Sequence, residues 1–255
     1  MASDTPEGGG IKSDETLFDL VEHIREADGA GVTELAAATG RAKSTVHGHL
    51  STMRDRGFVV KRDGEYHLGL EFFNYGHHVR ARRAVYDAAL PVLQDVADDT
   101  GETAWLMAHE NGRVIYLDGR SEGVDINVNS LIGSWKYMHS NSGGKAILAH
   151  LPEQEVDEIL ARRGLPAQTE ATVTDRERLD EELAEARERG YALNFGEDLS
   201  GIHAVAVPLV SEGSVVGSLA VAGPAHRLPR ERCEGELADR LSAAANDVQL
   251  SLTYR

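Results

Sequence analysis

The sequence predicts an α+β protein: an N-terminal winged helix-turn-helix, a linker helix, and a C-terminal antiparallel sheet flanked by helices. Three observations carry this expectation. Apolar residues recur at helical spacing in three runs before residue 58, and a glycine (Gly29, Gly40 or Gly57) closes each run. Asp63-Gly64 and Asn111-Gly112 each sit between short apolar segments, a strong local sign of a β-hairpin. After residue 88, strand and helix patterns mix without strict alternation, which favours an antiparallel sheet over a parallel α/β fold.

The elements follow in order. Residues 1–11 are polar and are expected to form a disordered tail. Ser13-Asp14-Glu15 opens a first helix that gathers Leu17, Leu20, Val21 and Ile24 on one face and ends at Asp28-Gly29. Thr33 is the expected N-cap of a short second helix over 34–39. A third helix over 43–56 turns Val46, Leu50 and Met53 inward. Two short helices joined by a tight glycine-containing turn make the helix-turn-helix unit, and strands 58–62 and 65–68 around Asp63-Gly64 add the wing. The winged domain then spans 12–69. The aromatic-rich segment beginning at Leu70 starts a linker helix over 70–88, suited to packing two subunits or to ordinary burial on the wing. The second domain, 89–255, is expected to hold helices over 90–97, 145–150, 175–189 and 229–252. Its expected strands lie over 104–109, 113–118, 205–210 and 215–222.

Charge narrows the function classes. The 255 residues carry 26 Lys+Arg against 42 Asp+Glu, a formal net charge of −16, which excludes a generally polycationic protein that coats nucleic acid. No apolar run approaches the ~20 residues of a bilayer span, and the polar start lacks a signal-peptide pattern, so a cytoplasmic protein without a membrane partner is expected. Cys233 is the single cysteine; no intrachain disulfide and no cysteine metal cluster can form, and no cofactor is expected. Only five basic residues are lysines, and aromatic residues make up 5% of the chain, a balance suited to hydration in strong salt and expected of a halophilic archaeal protein. The charge is also unevenly placed. Residues 41–62 hold six basic residues against Asp55 alone, whereas 89–255 holds 15 basic against 28 acidic residues. A basic island on the third helix and wing is the electrostatic footprint of a module that binds double-stranded DNA.

On the third helix, Ser44, His47, Gly48 and Ser51 lie opposite the buried face, where a recognition helix meets base edges. Lys43, Thr45, Arg54 and Arg62 are placed for phosphates, which fix register without reading sequence, and Arg41 completes the basic set. Gly48 costs roughly 1 kcal/mol relative to alanine in a helix interior. It either permits close approach of DNA or is a tolerated weak spot. His47 and His49 do not share a helix face and form no metal pair.

These residues resemble the IclR family of transcriptional regulators. The stretch 33–47 is similar to that family's helix-turn-helix, and Tyr66-His67-Leu68-Gly69 to its wing exit. The likeness continues at 89–93 with Thr100-Gly101-Glu102, at Met138-His139 with 144–149, and at 190–192, 205–208 and 219–224. It implies a GAF-like C-terminal domain that binds a small-molecule effector, and a homodimer or dimer of dimers on a palindromic operator. It also implies effector contacts at Ser142, Gly143, Asn194 and Ala204. Asn194 stands where the family often has aspartate, and Ala204 where it often has cysteine. Glu197, His139 and Trp135 are further candidates.

Ser142-Gly143-Gly144-Lys145 is not a phosphate-binding loop of the Walker type, because His139 and Ala146 occupy positions that require glycine and a hydroxyl residue. A helix opening at Gly144-Lys145 would instead aim backbone N–H groups at a carboxylate. The expected effector is a small organic, aromatic or sugar acid. No nucleophile, base and orienting group stand together, so no catalytic residue is assigned. Two alternatives remain open: an enzyme acting on a small acid through Asn194, Glu197 and His139, and a protein-interaction module built on the winged helix.

Overall fold

A computed structural model describes residues 10–121 and 128–254, and the chain divides into two compact units, Met1–Arg82 and Arg83–Arg255. The tail expected over 1–11 lies, through residue 9, outside the described residues.

In the first unit, α1 (Lys12–Ala27), α2 (Val32–Thr39) and α3 (Lys43–Asp55) close on one core. Leu20 and Ile24 meet Leu35, Val46, Leu50 and Met53 there, with Val59 and Tyr66 supplied by the wing. The wing strands β1 (Val59–Arg62) and β2 (Glu65–Leu68) pair antiparallel. Asp63 and Gly64 turn between them at φ 50° and 94°, the doubly left-handed geometry that a two-residue hairpin requires. Thr33 is not the N-cap of α2. An antiparallel bridge between Ala30 and Tyr66 holds the chain extended through Gly31, and the helix starts at once behind it. Helix α4 (Glu71–Ala81) packs on the wing through Phe58, whose ring lies 5.0 Å from Phe72 and 5.6 Å from Tyr75.

The single linker helix expected over 70–88 is two helices. Helix α4 stops at Ala81, and α5 (Ala84–Thr100) begins behind an extended Arg83. The Arg83 guanidinium donates to Glu110 at 2.7 Å, an anchor within the second unit that local sequence cannot reveal. The helix expected from residue 90 thus starts six residues earlier and runs through the exposed Pro91.

The second unit is one six-stranded antiparallel sheet in the order β5-β4-β3-β8-β7-β6. The strands are β3 (Thr103–Glu110), β4 (Arg113–Arg120), β5 (Trp135–Tyr137), β6 (Ala192–Phe195), β7 (Ile202–Ser211) and β8 (Ser214–Pro224). Alternation sorts the side chains. Ala104, Leu106 and Ala108 face one side with Val205, Val207, Leu219 and Val221, where they pack on α5 and on α11 (Ala238–Thr253). Helix α10 (Arg230–Arg232) enters α11 through a π-helical turn, Cys233–Leu237. Trp105, Met107, Val114, Ala206 and Ala220 face the other side, covered by α7 (Ser142–Leu148), α8 (Glu153–Arg163) and α9 (Arg176–Arg189). A short α6 (Val128–Leu131) follows β4. Because both faces are covered, the central strands read as nearly continuous apolar runs.

Candidate functional site: a DNA-facing helix and a cavity beneath a buried helix

On α3, Val46, Leu50 and Met53 point into the core and fix the opposite face. Lys43, Ser44, Thr45, His47, Gly48 and Arg54 are exposed, as is Arg62 on the wing. Arg41 and Ser51 are half-buried, and the Arg41 Nε has no partner among the described residues. Arg54 reaches Asp55 at 3.3 Å, an exposed pair weak enough to yield to a phosphate. A Cβ at Gly48 would meet nothing within 4 Å, so packing inside the unit does not demand glycine there.

The second site lies under α7. This helix begins at Ser142, three residues ahead of its expected start, because the Asn141 side chain accepts from the Gly144 N–H at 3.3 Å. Every residue of α7 is buried. A Cβ on Gly143 would stand 2.8 Å from Ser218 Oγ, and one on Gly144 only 2.4 Å from the Met138 backbone. The two glycines therefore serve close packing of helix on sheet, and one of the N–H groups expected to face an anion is spent on the cap.

Between α7 and the sheet is a cavity of about 40 Å³. Ser142, Asn194 and Ala204 line it, as the resemblance implies, together with Trp105, Met107 and Ala220. Register explains the grouping: Asn194 pairs with Ala204 across β6–β7, and Ala204 pairs with Ala222 across β7–β8. Asn141 donates to the Tyr116 hydroxyl at 3.1 Å. Burial, reinforced by the nearby Asp198 charge, pushes that hydroxyl's pKa up, so it stays protonated and able to donate. Asp198, also in the lining, is held by Lys136 at 3.2 Å. The segment carrying Asp198 and the exposed Leu199 runs between Gly196 and Gly201, at φ 84° and 79°.

Gly143, Glu197 and His139 do not line this cavity. Gly143 packs on Met107 and Ser218. The Glu197 carboxylate accepts from Lys145 Nζ at 2.7 and 2.9 Å, while its backbone N–H donates to Asn194 Oδ1 at 3.0 Å. Burial raises the Glu197 pKa, and the Lys145 charge opposes that rise. His139 reaches the Pro166 carbonyl at 3.2 Å, and burial lowers its pKa. Trp135 is exposed on the edge strand β5. Sequence reasoning missed Trp105, Met107, Tyr116 and Asn141. The alternation of β3 carried the signal for the first two, since it places Trp105 and Met107 on one face.

Residues 16–63 match the IclR helix-turn-helix domain, and residues 77–250 match the bacterial transcriptional regulator IclR C-terminal domain. The chain is 31% identical to the acetate operon repressor of Salmonella typhimurium, over 98% of this chain and 93% of that protein. The crystal structure of Thermotoga maritima IclR superposes with a TM-score of 0.78 at 30% identity, covering 95% of this chain and 98% of that one. An IclR homologue of Microbacterium hydrocarbonoxydans, solved as a complex with 4-hydroxybenzoate, shares the fold at a TM-score of 0.79 and 24% identity, over 94% of this chain and all of that one. Taken with a basic recognition helix and a cavity beneath α7, these likenesses show that the chain belongs to the IclR family, DNA-binding transcriptional regulators whose C-terminal domain binds a small-molecule effector.

Proposed function

We propose that two copies of this chain bind a palindromic operator through α3, and that a small organic, aromatic or sugar acid in the cavity under α7 alters that binding. Ser44, His47 and Ser51 meet base edges, with Gly48 allowing close approach; Arg41, Lys43, Thr45, Arg54 and Arg62 meet phosphates. The observation that carries the reading is the exposed face of α3, opposite its buried Val46, Leu50 and Met53. Two recognition helices of a dimer read half-sites about one helical turn apart. The exposed Leu70, Phe73 and Val79 around α4 favour pairing of two copies.

The cavity of about 40 Å³ is far below the ~300 Å³ at which ligand pockets begin. An effector therefore enters by displacing residues 198–200, with Gly196 and Gly201 as hinges and Leu199 as the plug. Inside, Ser142, Asn141 and the protonated Tyr116 hydroxyl supply hydrogen bonds, and Lys136 offsets the Asp198 charge. The segment 70–88 carries the response between the domains, and an effector shifts operator binding only by its differential affinity for two arrangements. Catalysis is not part of the reading: Glu197 is engaged with Lys145 and His139 with Pro166, so neither group considered for chemistry is directed at the cavity. No described helix is long and apolar enough to cross a membrane, which accords with the cytoplasmic setting proposed for a regulator of DNA.

The test is a footprint of the DNA upstream of its own coding region, with the natural chain and with Ser44→Ala/His47→Ala/Arg54→Ala. Protection of a palindrome by the first and not the second is expected. Equal protection by both would remove α3 as the reader, and no protection by either would favour the protein-interaction module.

A further inference from the structure

A larger cavity lies at one end of the sheet. It measures about 340 Å³, against about 40 Å³ beneath α7, and falls within the ~300–1,000 Å³ range of small-molecule sites. It sits between the first turn of α5 and the last turn of α11, at the end of β3 and beside the β7–β8 turn.

A bulge builds its wall. Strands β7 and β8 pair Leu209 with Gly217 and Val210 with Val215, which leaves Val216 without a partner. Successive residues of a regular strand face opposite sides, and the irregularity changes which face Val216 takes. The extra residue turns Val216 toward the face that carries α5 and α11, whereas Val215 packs on the opposite face; the cavity, at the end of the sheet, touches both, and Val85 and Leu252 complete an apolar lining.

Two polar groups stand at this lining, Arg83 and His109. Arg83 Nη2 donates to Glu110 at 2.7 Å, and among the described residues no hydrogen bond uses its Nε or Nη1. A guanidinium presents five donors in a fixed fork, so the remaining ones can engage a carboxylate bidentately. His109 is half-buried in a position that disfavours its charged form, which leaves a neutral imidazole as a hydrogen-bonding neighbour. One cationic fork at the end of an apolar trough complements a molecule with one carboxylate and a compact hydrocarbon body.

We propose that this cavity is a second small-molecule site, distinct from the one under α7, which takes a monocarboxylate with an aromatic or branched aliphatic body. Arg83 binds the carboxylate, and Val85, Val215, Val216 and Leu252 bury the body.

The test is calorimetric titration of the full chain with benzoate and, separately, with 4-methylpentanoate. Binding is expected in the natural chain and in Ala204→Leu, which fills the cavity under α7. A loss of tenfold or more is expected in Arg83→Gln and in Val216→Phe. The Arg83 change leaves the apolar core intact, so the outcome does not hang on whether the Phe variant folds. Three results would overturn the proposal: no binding of either probe, unchanged binding in both variants, or loss of binding in Ala204→Leu alone. Light scattering in the absence of probe adds a fourth. If Val216→Phe alters the oligomeric state while Arg83→Gln leaves probe binding unchanged, the trough is a contact between copies and not a ligand site.

Discussion

Lys145 Nζ lies 2.7 Å from Glu197 Oε1, a pairing between two buried residues 52 positions apart. Lys145 also donates to Glu182 on α9 at 2.9 Å. The ammonium thus joins the helix bearing Ser142, the loop that follows Asn194, and the outer helix. Removing one partner of a buried pair leaves an uncompensated charge, which typically costs about 3–5 kcal/mol. Lys145→Met is expected to destabilise by that order in a urea unfolding curve. Glu197→Gln keeps an acceptor for Lys145 and leaves Glu182 in place, so its loss should be clearly smaller. Equal losses would mean that the pair is not the principal anchor.

Two glycine substitutions should move stability in opposite directions. At Gly144 a Cβ meets the Met138 backbone at 2.4 Å, a contact that no side-chain rotation relieves. Gly144→Ala should therefore cost about 1–3 kcal/mol through overpacking. At Gly48 a Cβ meets nothing, and alanine removes the helix penalty, so Gly48→Ala should add about 1 kcal/mol. Paired thermal melts of the two variants check this.

Acid should weaken the second unit before its carboxylates titrate. Burial holds the His139 and His109 pKa values below the usual 6.5. The unfolded chain then takes up protons at a higher pH than the folded one. Stability from these groups is full above about pH 6.5 and is lost as pH falls below it. Glu197, whose pKa is raised by burial, works in the opposite sense as the solution becomes acidic. A fall in melting temperature from pH 7 to pH 5 is expected, and it should shrink in His139→Gln. A melting temperature flat over that range would contradict the burial of both imidazoles.

The same physics decides what the sequence reveals. Most of the winged helix is legible, because Gly40 closes α2 and the hairpin turns at Asp63-Gly64, both local signals; the start of α2 is not, since the Ala30–Tyr66 bridge sets it. Two features of the cavity were not. Ser142-Gly143-Gly144 has poor helix propensity, and only the Asn141 cap and burial against the sheet make it helical. Strand β6 is four residues long between Gly190 and Gly196, too short for a pattern, yet it positions Asn194. Glu197 was expected to face the effector. Its direction toward Lys145 depends on a contact spanning 52 residues, which no local window contains.

Salt offers a separate check on the basic island. Phosphate contacts release counterions, so a conventional regulator loses about 10³–10⁵ in affinity between 50 and 200 mM salt. The net charge of −16 with five lysines suits hydration in strong salt, and on that reading DNA binding relies more on base contacts and dimer geometry. Operator affinity is expected to fall much less steeply up to molar KCl. A conventional slope, measured by fluorescence anisotropy, would contradict the salt adaptation.

On the proposed reading, the cavity under α7 controls DNA binding. The most direct measurement is anisotropy of labelled operator DNA during titration with carboxylic and sugar acids, with the natural chain, Ala204→Leu and Ser142→Ala. At least one acid should change operator affinity of the natural chain, and both variants should bind operator normally while losing or weakening that response. An acid whose effect on operator affinity is the same in all three proteins would contradict the claim.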